Sequence, residues 1–206
     1  MYAINSMALI SVQRQLFRAA AVFSLAAFLT ATSLVAAAAS TGVFQSGPDF
    51  IAEVFSTTTG EPPSEHSSVQ QKTLWLTEDI RSQAAKILGH QLAGLRVRYS
   101  QSGDKTAWIL EEIGKEMPIT IGVVVADNRI QQVKILAYRE SRGGEVRYSA
   151  YTQQYRGATL TEELGLSQNI DGITGATLSV WAVNKVAALA LYFHTLAIQQ
   201  SDSTLP

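Results

Sequence analysis

The chain has 206 residues, a formal net charge of −1 and no cysteine. Its length favours one domain with a tail, and the near-neutral charge argues against a nucleic-acid-binding surface. The absence of cysteine excludes disulfides, iron–sulfur clusters, Cys-ligated zinc and a cysteine nucleophile. Any redox chemistry must therefore come from a cofactor that is held in another way.

The first 39 residues have the pattern of a secretory signal peptide. Arg14 and Arg18 precede an uncharged, alanine-rich run, which ends in small residues before Ser40. An apolar run of about 20 residues is also long enough to span a bilayer, so an uncleaved membrane anchor stays open. In both cases we expect the rest of the chain to be exported, to the periplasm in a bacterium.

Residues 40–72 are interpreted as an N-terminal extension and linker, with a short helix at Asp49–Phe55 and a loop at Ser56–Ser68. The main domain is predicted to cover residues 73–200. At its start Thr77 is a good helix N-cap, and apolar residues at helical spacing lead to a stop at Gly89.

The middle of the domain is rich in strand-like residues separated by short turns, which indicates an antiparallel sheet of about four strands. The predicted strands are Leu95–Tyr99, Thr106–Ile113, Ile119–Ala126 and Ile130–Tyr138, and Thr73–Leu76 is a further short strand-like run. Asp127-Asn128 has the composition of a tight turn.

Helical patterns dominate the rest of the chain. A short helix is predicted at Ala150–Tyr155, a helical turn at Thr161–Gly165, and a long helix that ends near Gln199. The fold class is therefore α+β, with helices flanking an antiparallel sheet and a long helix at the C-terminus.

The most informative stretch is Asp171-Gly-Ile-Thr-Gly-Ala-Thr177, which directly precedes that long helix. Its glycines permit unusual backbone angles, and Asp171 and Thr174 can bond backbone N–H groups. Thr177 then lies at the helix start, where free N–H groups and the helix dipole favour an anion such as a phosphate ester. A plain capping loop, with Thr174 or Thr177 as the N-cap, explains the same spacing and stays open.

This stretch, continued by Leu178 and Ser179, resembles the flavinylation motif of FMN-binding domain proteins, D-G-x-[ST]-G-A-T. The similarity also covers Gly114–Thr120 and Glu140–Arg147, and extends from about Trp75 to Leu196. The family includes FMN-carrying subunits of Rnf-type and sodium-pumping NADH:quinone reductase complexes. In that family a flavin transferase of the ApbE type moves FMN from FAD onto the last threonine of the motif, which here is Thr177.

The resemblance implies a set of cofactor-binding residues around a covalent FMN. Thr177 would be the attachment point, and the loop around it would be formed by Asp171, Gly172, Thr174, Gly175, Ala176, Leu178 and Ser179. A second segment could form a cradle for the phosphate or the ring: Arg142, Gly143, Gly144 and Glu145. A solvated glycine turn is the equally open alternative for this segment.

Several other residues are candidates for a role near the flavin. Tyr148, Tyr151 and Tyr155 could stack on the ring or pack in the interior. Trp181, one helical turn after Thr177, is a candidate flavin neighbour but is interpreted as a core residue, and Lys185 is interpreted as a solvated one. The sequence predicts no catalytic residue and no metal site, because the three histidines have no ligand spacing and Glu111 and Glu112 point to opposite faces of a strand.

The sequence thus predicts a periplasmic electron-transfer flavoprotein, not an enzyme in its own right, that carries FMN through a phosphoester on Thr177. Its expected partners are the flavin transferase, with FAD as the FMN donor, and membrane or periplasmic redox proteins. A small extracytoplasmic flavin-dependent reductase and a non-catalytic FMN-binding or sensory module remain as alternatives.

Overall fold

The computed structural model describes residues 42–56 and 68–202. The predicted signal segment and most of the predicted Ser56–Ser68 loop lie outside these residues. The elements in chain order are α1 (Gly47–Ser56), β1 (Gln70–Trp75), α2 (Glu78–Leu88), β2 (Arg96–Ser102), β3 (Lys105–Ile113), β4 (Pro118–Ala126), β5 (Arg129–Ala137), α3 (Ser149–Thr152) and α4 (Thr177–Asp202). Two 3-10 turns, Gly144–Arg147 and Gln153–Tyr155, flank α3.

The five strands form one antiparallel sheet in which spatial order equals sequence order, β1-β2-β3-β4-β5. This confirms the α+β class. The sheet has one strand more than the four long runs predicted, because the short run before α2 pairs with β2 along its whole length. Gln70 lies opposite Gln101 in this pairing, and Trp75 lies opposite Arg96.

Local sequence signals fix the ends of the elements as predicted. Thr77 caps α2, with its Oγ1 accepting a hydrogen bond from the N–H of Ile80 at 3.4 Å. Gly89 ends the helix in the left-handed conformation, at φ 77°. Asp127 and Asn128 form the β4–β5 turn with φ values of 53° and 54°, the geometry that suits the twist of a hairpin.

Helices cover both faces of the sheet. On one face α1 inserts Phe50 and Val54 against Ala107, Val124 and Leu136. Phe50 lies so close to β4 that a Cβ on Gly122 would come within 2.6 Å of its ring, so only glycine fits there. On the opposite face α2 and α4 enclose the larger core around Trp108.

The C-terminal helix α4 is the central element of that larger core. It packs across β3 and β4 and against α2, and its fully buried positions include Val183, Val186, Ala187, Ala190 and Phe193. Among the described residues it is the one helix long and apolar enough to cross a membrane, but 61% of its most apolar window is buried inside the fold. Its apolar character is therefore accounted for by the sheet that it covers.

The predicted helical turn at Thr161–Gly165 is wrong. These residues form a tight loop in which the N–H of Thr161 donates to the carbonyl of Gly165 at 2.9 Å. Leu160 and Leu166 pair as an isolated antiparallel bridge at the base of the loop. A five-residue segment gains too few helical hydrogen bonds to offset nucleation, so this pairing prevails.

Candidate functional site

The Asp171–Thr177 loop enters α4 with its threonine exposed. Thr177 is the first residue of the helix, and the carbonyl of Ala176 accepts the first helical hydrogen bond, from Val180 at 3.0 Å. Ala176 therefore occupies the N-cap place, and neither Thr174 nor Thr177 does, contrary to the plain capping interpretation. The exposed Thr177 hydroxyl lies beside the free N–H groups of the first helical turn.

The loop is held by a neighbouring side chain and by its own backbone rather than by its own polar side chains. Gln154 Oε1 accepts a hydrogen bond from the N–H of Asp171 at 2.9 Å, and the carbonyl of Ile173 accepts one from Ala176 at 2.9 Å. In the part of the chain that the structure describes, the side chains of Asp171 and Thr174 make no such bond. Gly175 has a φ of 82°, which a residue with a Cβ would adopt only with strain.

The structure brings the Arg142–Glu145 segment against this loop. Gly143 has a φ of 80°, and a Cβ added to it would lie 2.8 Å from the Cβ of Ala176 and 2.8 Å from the hydroxyl of Tyr138. Glycine is thus required twice at this position, by the backbone angle and by the close contact with the motif. The two segments that the resemblance singled out are in van der Waals contact.

Tyr138, which the sequence did not single out, joins the two segments. Its hydroxyl donates to the carbonyl of Arg142 and lies 2.9 Å from Ser179 Oγ on the first turn of α4. Because the tyrosine proton is used on Arg142, Ser179 is the donor to Tyr138. Burial raises the pKa of Tyr138, so the hydroxyl stays protonated and keeps this bridge.

Glu140 anchors the Arg142–Glu145 segment, called the glycine segment below. The sequence did not predict this role. Its Oε1 accepts three consecutive backbone hydrogen bonds, from Lys115, Glu116 and Met117 at 2.6, 2.6 and 2.9 Å. Burial opposes the charge, but the three N–H donors outweigh it and hold the pKa of Glu140 below its usual value. The carboxylate therefore ties the β3–β4 turn to the segment that contacts the motif.

A cavity of about 390 Å³ opens beside the junction between the glycine segment and the Asp171–Thr177 loop. Its walls are the Glu140–Glu145 segment, Phe44, Arg147 and Tyr148. The Arg147 guanidinium lies 4.9 Å from the ring centre of Phe44 and 5.2 Å from that of Tyr148, so it is stacked between two aromatic rings. The cavity thus combines glycine backbone, exposed aromatic faces and a cation, which suits a planar ligand with a phosphate.

The aromatic residues predicted as flavin neighbours differ in their solvent exposure. Tyr148 is 54% exposed and available to a ligand, whereas Tyr151 and Tyr155 are buried and bonded to each other through their hydroxyls at 3.0 Å. The interpretation of Trp181 as a core residue is wrong: it is 57% exposed, one turn along α4 from Thr177. The core stripe of α4 runs through neighbouring positions, and Trp181 falls on the solvent side.

The structure separates the two adjacent carboxylates of β3. As predicted, Glu111 and Glu112 lie on opposite faces of β3, the first exposed and the second buried. Glu112 is paired with His90 at 3.0 Å. Among residues 42–56 and 68–202 no group of acidic or histidine side chains is arranged to hold a metal ion.

The residues at this junction fit FMN by their own chemistry. An exposed hydroxyl at a helix N-terminus can carry the phosphate, and the adjacent cavity offers aromatic and glycine surfaces for the ring. Residues 114–192 match the family model of the FMN-binding domain. The chain is thus similar, over this segment, to the FMN-binding domain family. No curated protein and no solved structure matches it.

The FMN-binding domain match coincides with the geometry of the site. It begins at Gly114, the first residue of the turn that Glu140 holds, and it ends within α4. It therefore spans the β4–β5 hairpin, the glycine segment, the motif loop and the first part of α4, and it makes the protein a flavin-binding one.

Proposed function

We propose that the protein is an exported electron carrier whose FMN is linked through a phosphoester to Thr177. The observation that carries the proposal is the exposed Thr177 hydroxyl at the start of α4, directly beside the glycine segment of an FMN-binding domain. Thr174 is also exposed, but it lies in the loop before the helix, where no first-turn N–H groups converge.

The attachment is a phosphoryl transfer with FAD as the donor. The Thr177 oxygen forms a bond to the phosphorus of the FMN half, the pyrophosphate bond breaks, and AMP leaves with the pyrophosphate oxygen. The threonine proton is released. The resulting phosphodiester carries one negative charge, which the N-terminal end of the α4 dipole stabilises.

The chain's own residues would position the group rather than react. Bound FMN supplies one- and two-electron transfer at its ring. Gly143 and Gly144 let the backbone approach the ring, Tyr148 offers an exposed aromatic face, and Arg142 and Arg147 place positive charge beside the cavity. Trp181, exposed one turn from Thr177, is the competing neighbour for the ring.

Export follows from the signal-peptide pattern, and it makes a covalent link useful, because a dissociated FMN would be lost outside the cytoplasm. The expected partners are a flavin transferase of the ApbE type and membrane or soluble redox proteins. Sequencing the N-terminus of the mature protein tests this part: a start near Ser40 indicates cleavage, and an intact N-terminus in the membrane fraction indicates an anchor.

Coexpression with a flavin transferase in an exporting host tests the attachment. After denaturing electrophoresis we expect a fluorescent band for the wild type, none for Thr177→Ala and a fluorescent one for Thr174→Ala, the matched loop control. A wild-type band without fluorescence would reject the covalent link. A fluorescent Thr177→Ala band would mean that FMN is attached to a different residue. Steady turnover of a small substrate by the purified labelled protein would favour a reductase over a carrier.

The position of the ring can be tested on the same labelled protein. Tyr148→Leu and Trp181→Leu remove exposed aromatic faces on either side of the attachment point. We expect Tyr148→Leu to raise the flavin fluorescence by several-fold, because loss of a stacked ring relieves quenching, and Trp181→Leu to change it little. The reverse pattern would place the ring over α4 instead of the cavity.

A further inference from the structure

A second and larger cavity, of about 730 Å³, shares Arg147 with the cavity at the glycine segment. One of its walls is formed by the β4–β5 turn and by Gln131–Lys134 of β5. The facing wall is formed by side chains of the segment Arg147–Arg156, which contains α3. Because its two walls come from separate parts of the chain, the cavity has the form of a groove, called the basic groove below.

Most charged side chains of the basic groove are cations. Lys105, Lys134, Arg147 and Arg156 line it, and Asp127 is the one acidic residue among the described residues that do so. The chain as a whole has a formal net charge of −1. The positive charge is therefore a local property of this groove and does not follow from the composition of the protein.

The two arginines are the cations that the fold leaves without an opposite charge. Lys134 is paired with Glu53 at 2.7 Å, so its charge is compensated within the fold. Lys105 donates to a backbone carbonyl of α1 at 2.7 Å, and burial lowers its pKa. Within residues 42–56 and 68–202 neither arginine forms an ion pair with a carboxylate. Guanidinium groups also stay charged at any physiological pH, so the arginines determine what the groove attracts.

The spacing of the two arginines matches an extended peptide. Arg147 precedes α3, and Arg156 follows the 3-10 turn Gln153–Tyr155. The four α-helical and three 3-10 residues between them rise by about 12 Å. In an extended chain, residues i and i+4 lie on the same face and about 13 Å apart. Acidic residues at these two positions would therefore meet both guanidinium groups at once.

The rest of the lining suits a peptide better than a membrane surface. Ser149 and Gln153 are exposed on the wall between the arginines, and in the described part of the chain their side chains make no hydrogen bond. They are free to bond the N–H and C=O groups of a peptide. The apolar lining residues Val124 and Val133 are buried, so the groove offers little apolar surface for insertion into a bilayer.

We propose that the basic groove docks an extended acidic segment of a redox partner protein. The redox role of the partner rests on the proposed electron-carrier function, whereas the binding of an acidic peptide does not. Because Arg147 lines both cavities, a segment docked in the groove lies next to the cavity at the glycine segment. Opposite charges speed such an encounter and allow it to stay weak and reversible, as electron-transfer complexes are.

The test is an NMR titration of the ¹⁵N-labelled full-length chain, produced without a flavin transferase, with capped hexaglutamate. Capped hexaglutamine and a single capped glutamate are the comparison probes. With hexaglutamate we expect saturable shifts of the amides of Gln131–Lys134 and Arg147–Arg156, and each comparison probe should bind at least tenfold more weakly. Raising the salt from about 0.02 M to about 0.2 M should weaken hexaglutamate binding at least threefold, because salt screens exposed charges. Equal binding of the probes, or shifts that map elsewhere, overturns the proposal. Binding of anionic phospholipid vesicles, but not of hexaglutamate, through these residues would assign the groove to a membrane and also overturn it.

Three variants sharpen the test. Arg156→Gln should weaken hexaglutamate binding at least threefold, whereas Arg98→Gln, which removes an exposed arginine of β2 outside the groove, should leave it unchanged. Asp127→Asn should strengthen binding, because it removes the carboxylate of the groove while asparagine tolerates the φ of 53° at this position. If Arg156→Gln binds as the wild type does, or if Arg98→Gln weakens binding as much, the proposal fails.

The flavin label separates this proposal from the proposed function. Arg156 does not line the cavity at the glycine segment, so Arg156→Gln should keep the covalent label when it is coexpressed with a flavin transferase. A wild-type chain that takes the label but does not bind hexaglutamate refutes the docking groove alone. A chain that binds hexaglutamate through the groove but takes no label refutes the carrier function and supports the groove.

Discussion

Replacement of Gly143 by alanine should lower the free energy of unfolding for two reasons, backbone strain and a steric clash. The left-handed angle costs an alanine about 1–2 kcal/mol. The new methyl group would also lie 2.8 Å from both the Ala176 Cβ and the Tyr138 hydroxyl, and overpacking of this kind costs about 1–3 kcal/mol more. We therefore expect Gly143→Ala to lower the free energy of unfolding by about 2–5 kcal/mol.

Two other glycines provide matched controls. Gly175 and Gly157 have φ values of 82° and 83°, and a Cβ on either would meet nothing within 4 Å. Their alanine variants should show the backbone cost alone, about 1–2 kcal/mol. Urea denaturation of the unflavinylated chain measures all three. If Gly143→Ala is no more destabilising than the controls, the contact between the glycine segment and the motif does not exist as described.

Three further predictions follow from the same junction and from the two described histidines. Tyr138→Phe should cost about 1–3 kcal/mol in urea denaturation, because it leaves the Arg142 carbonyl and the buried Ser179 hydroxyl unpaired, and Ser179→Ala should cost less; equal costs would contradict the bridge. Because the pKa of Glu140 is lowered, its contribution to stability is present above the unfolded pKa of about 4.3 and is lost as the pH falls through the lower folded pKa. Urea midpoints measured from pH 7 downward should therefore fall less steeply for Glu140→Ala than for the wild type. An unchanged dependence of the midpoint on pH would refute this. Proton NMR should give opposite pKa shifts for two histidines. Hydrogen bonds to the Gln91 carbonyl and to Glu112 raise the pKa of His90, so its contribution to stability is present below the unfolded pKa of about 6.5 and is lost as the pH rises through the folded pKa. Burial lowers the pKa of His194, so the folded state loses stability as the pH falls below about 6.5. His90→Gln assigns the signals, and equal pKa values for the two rings would refute the assignment of their surroundings.

The sequence predicted what local chemistry determines. Thr77 and Gly89 bound α2 because a cap and a left-handed stop depend on a few neighbouring atoms, and Asp127-Asn128 turn the chain for the same reason. Composition and spacing predicted only an anion-favouring helix start at Thr177, and the family resemblance supplied the likeness of this motif to a flavinylation site. That the segment around Gly143 touches it was suggested only by the family resemblance.

What the sequence could not supply was contact between distant residues. Glu140 receives N–H groups from residues 23 to 25 positions earlier, and Tyr138 meets Ser179 across 41 positions. Nothing in a single glutamate or tyrosine marks such a partner. The same limit explains the error at Trp181, whose exposure was decided by the assembled core. The error at Thr161–Gly165 has a local cause, because the Leu160–Leu166 pairing prevails over a short helical turn.

The strand order of the sheet bears on when the motif acquires its surroundings. Every strand pairs with its neighbour in sequence, so the sheet is dominated by contacts of short sequence separation, which form quickly. Helix α4 comes from the end of the chain and packs on β3 and β4, and we expect it to dock there after the sheet has formed. We expect Ala176 to contact Gly143 only in that last step. A partner protein that recognises this contact would therefore distinguish the native state from partly folded states of the chain.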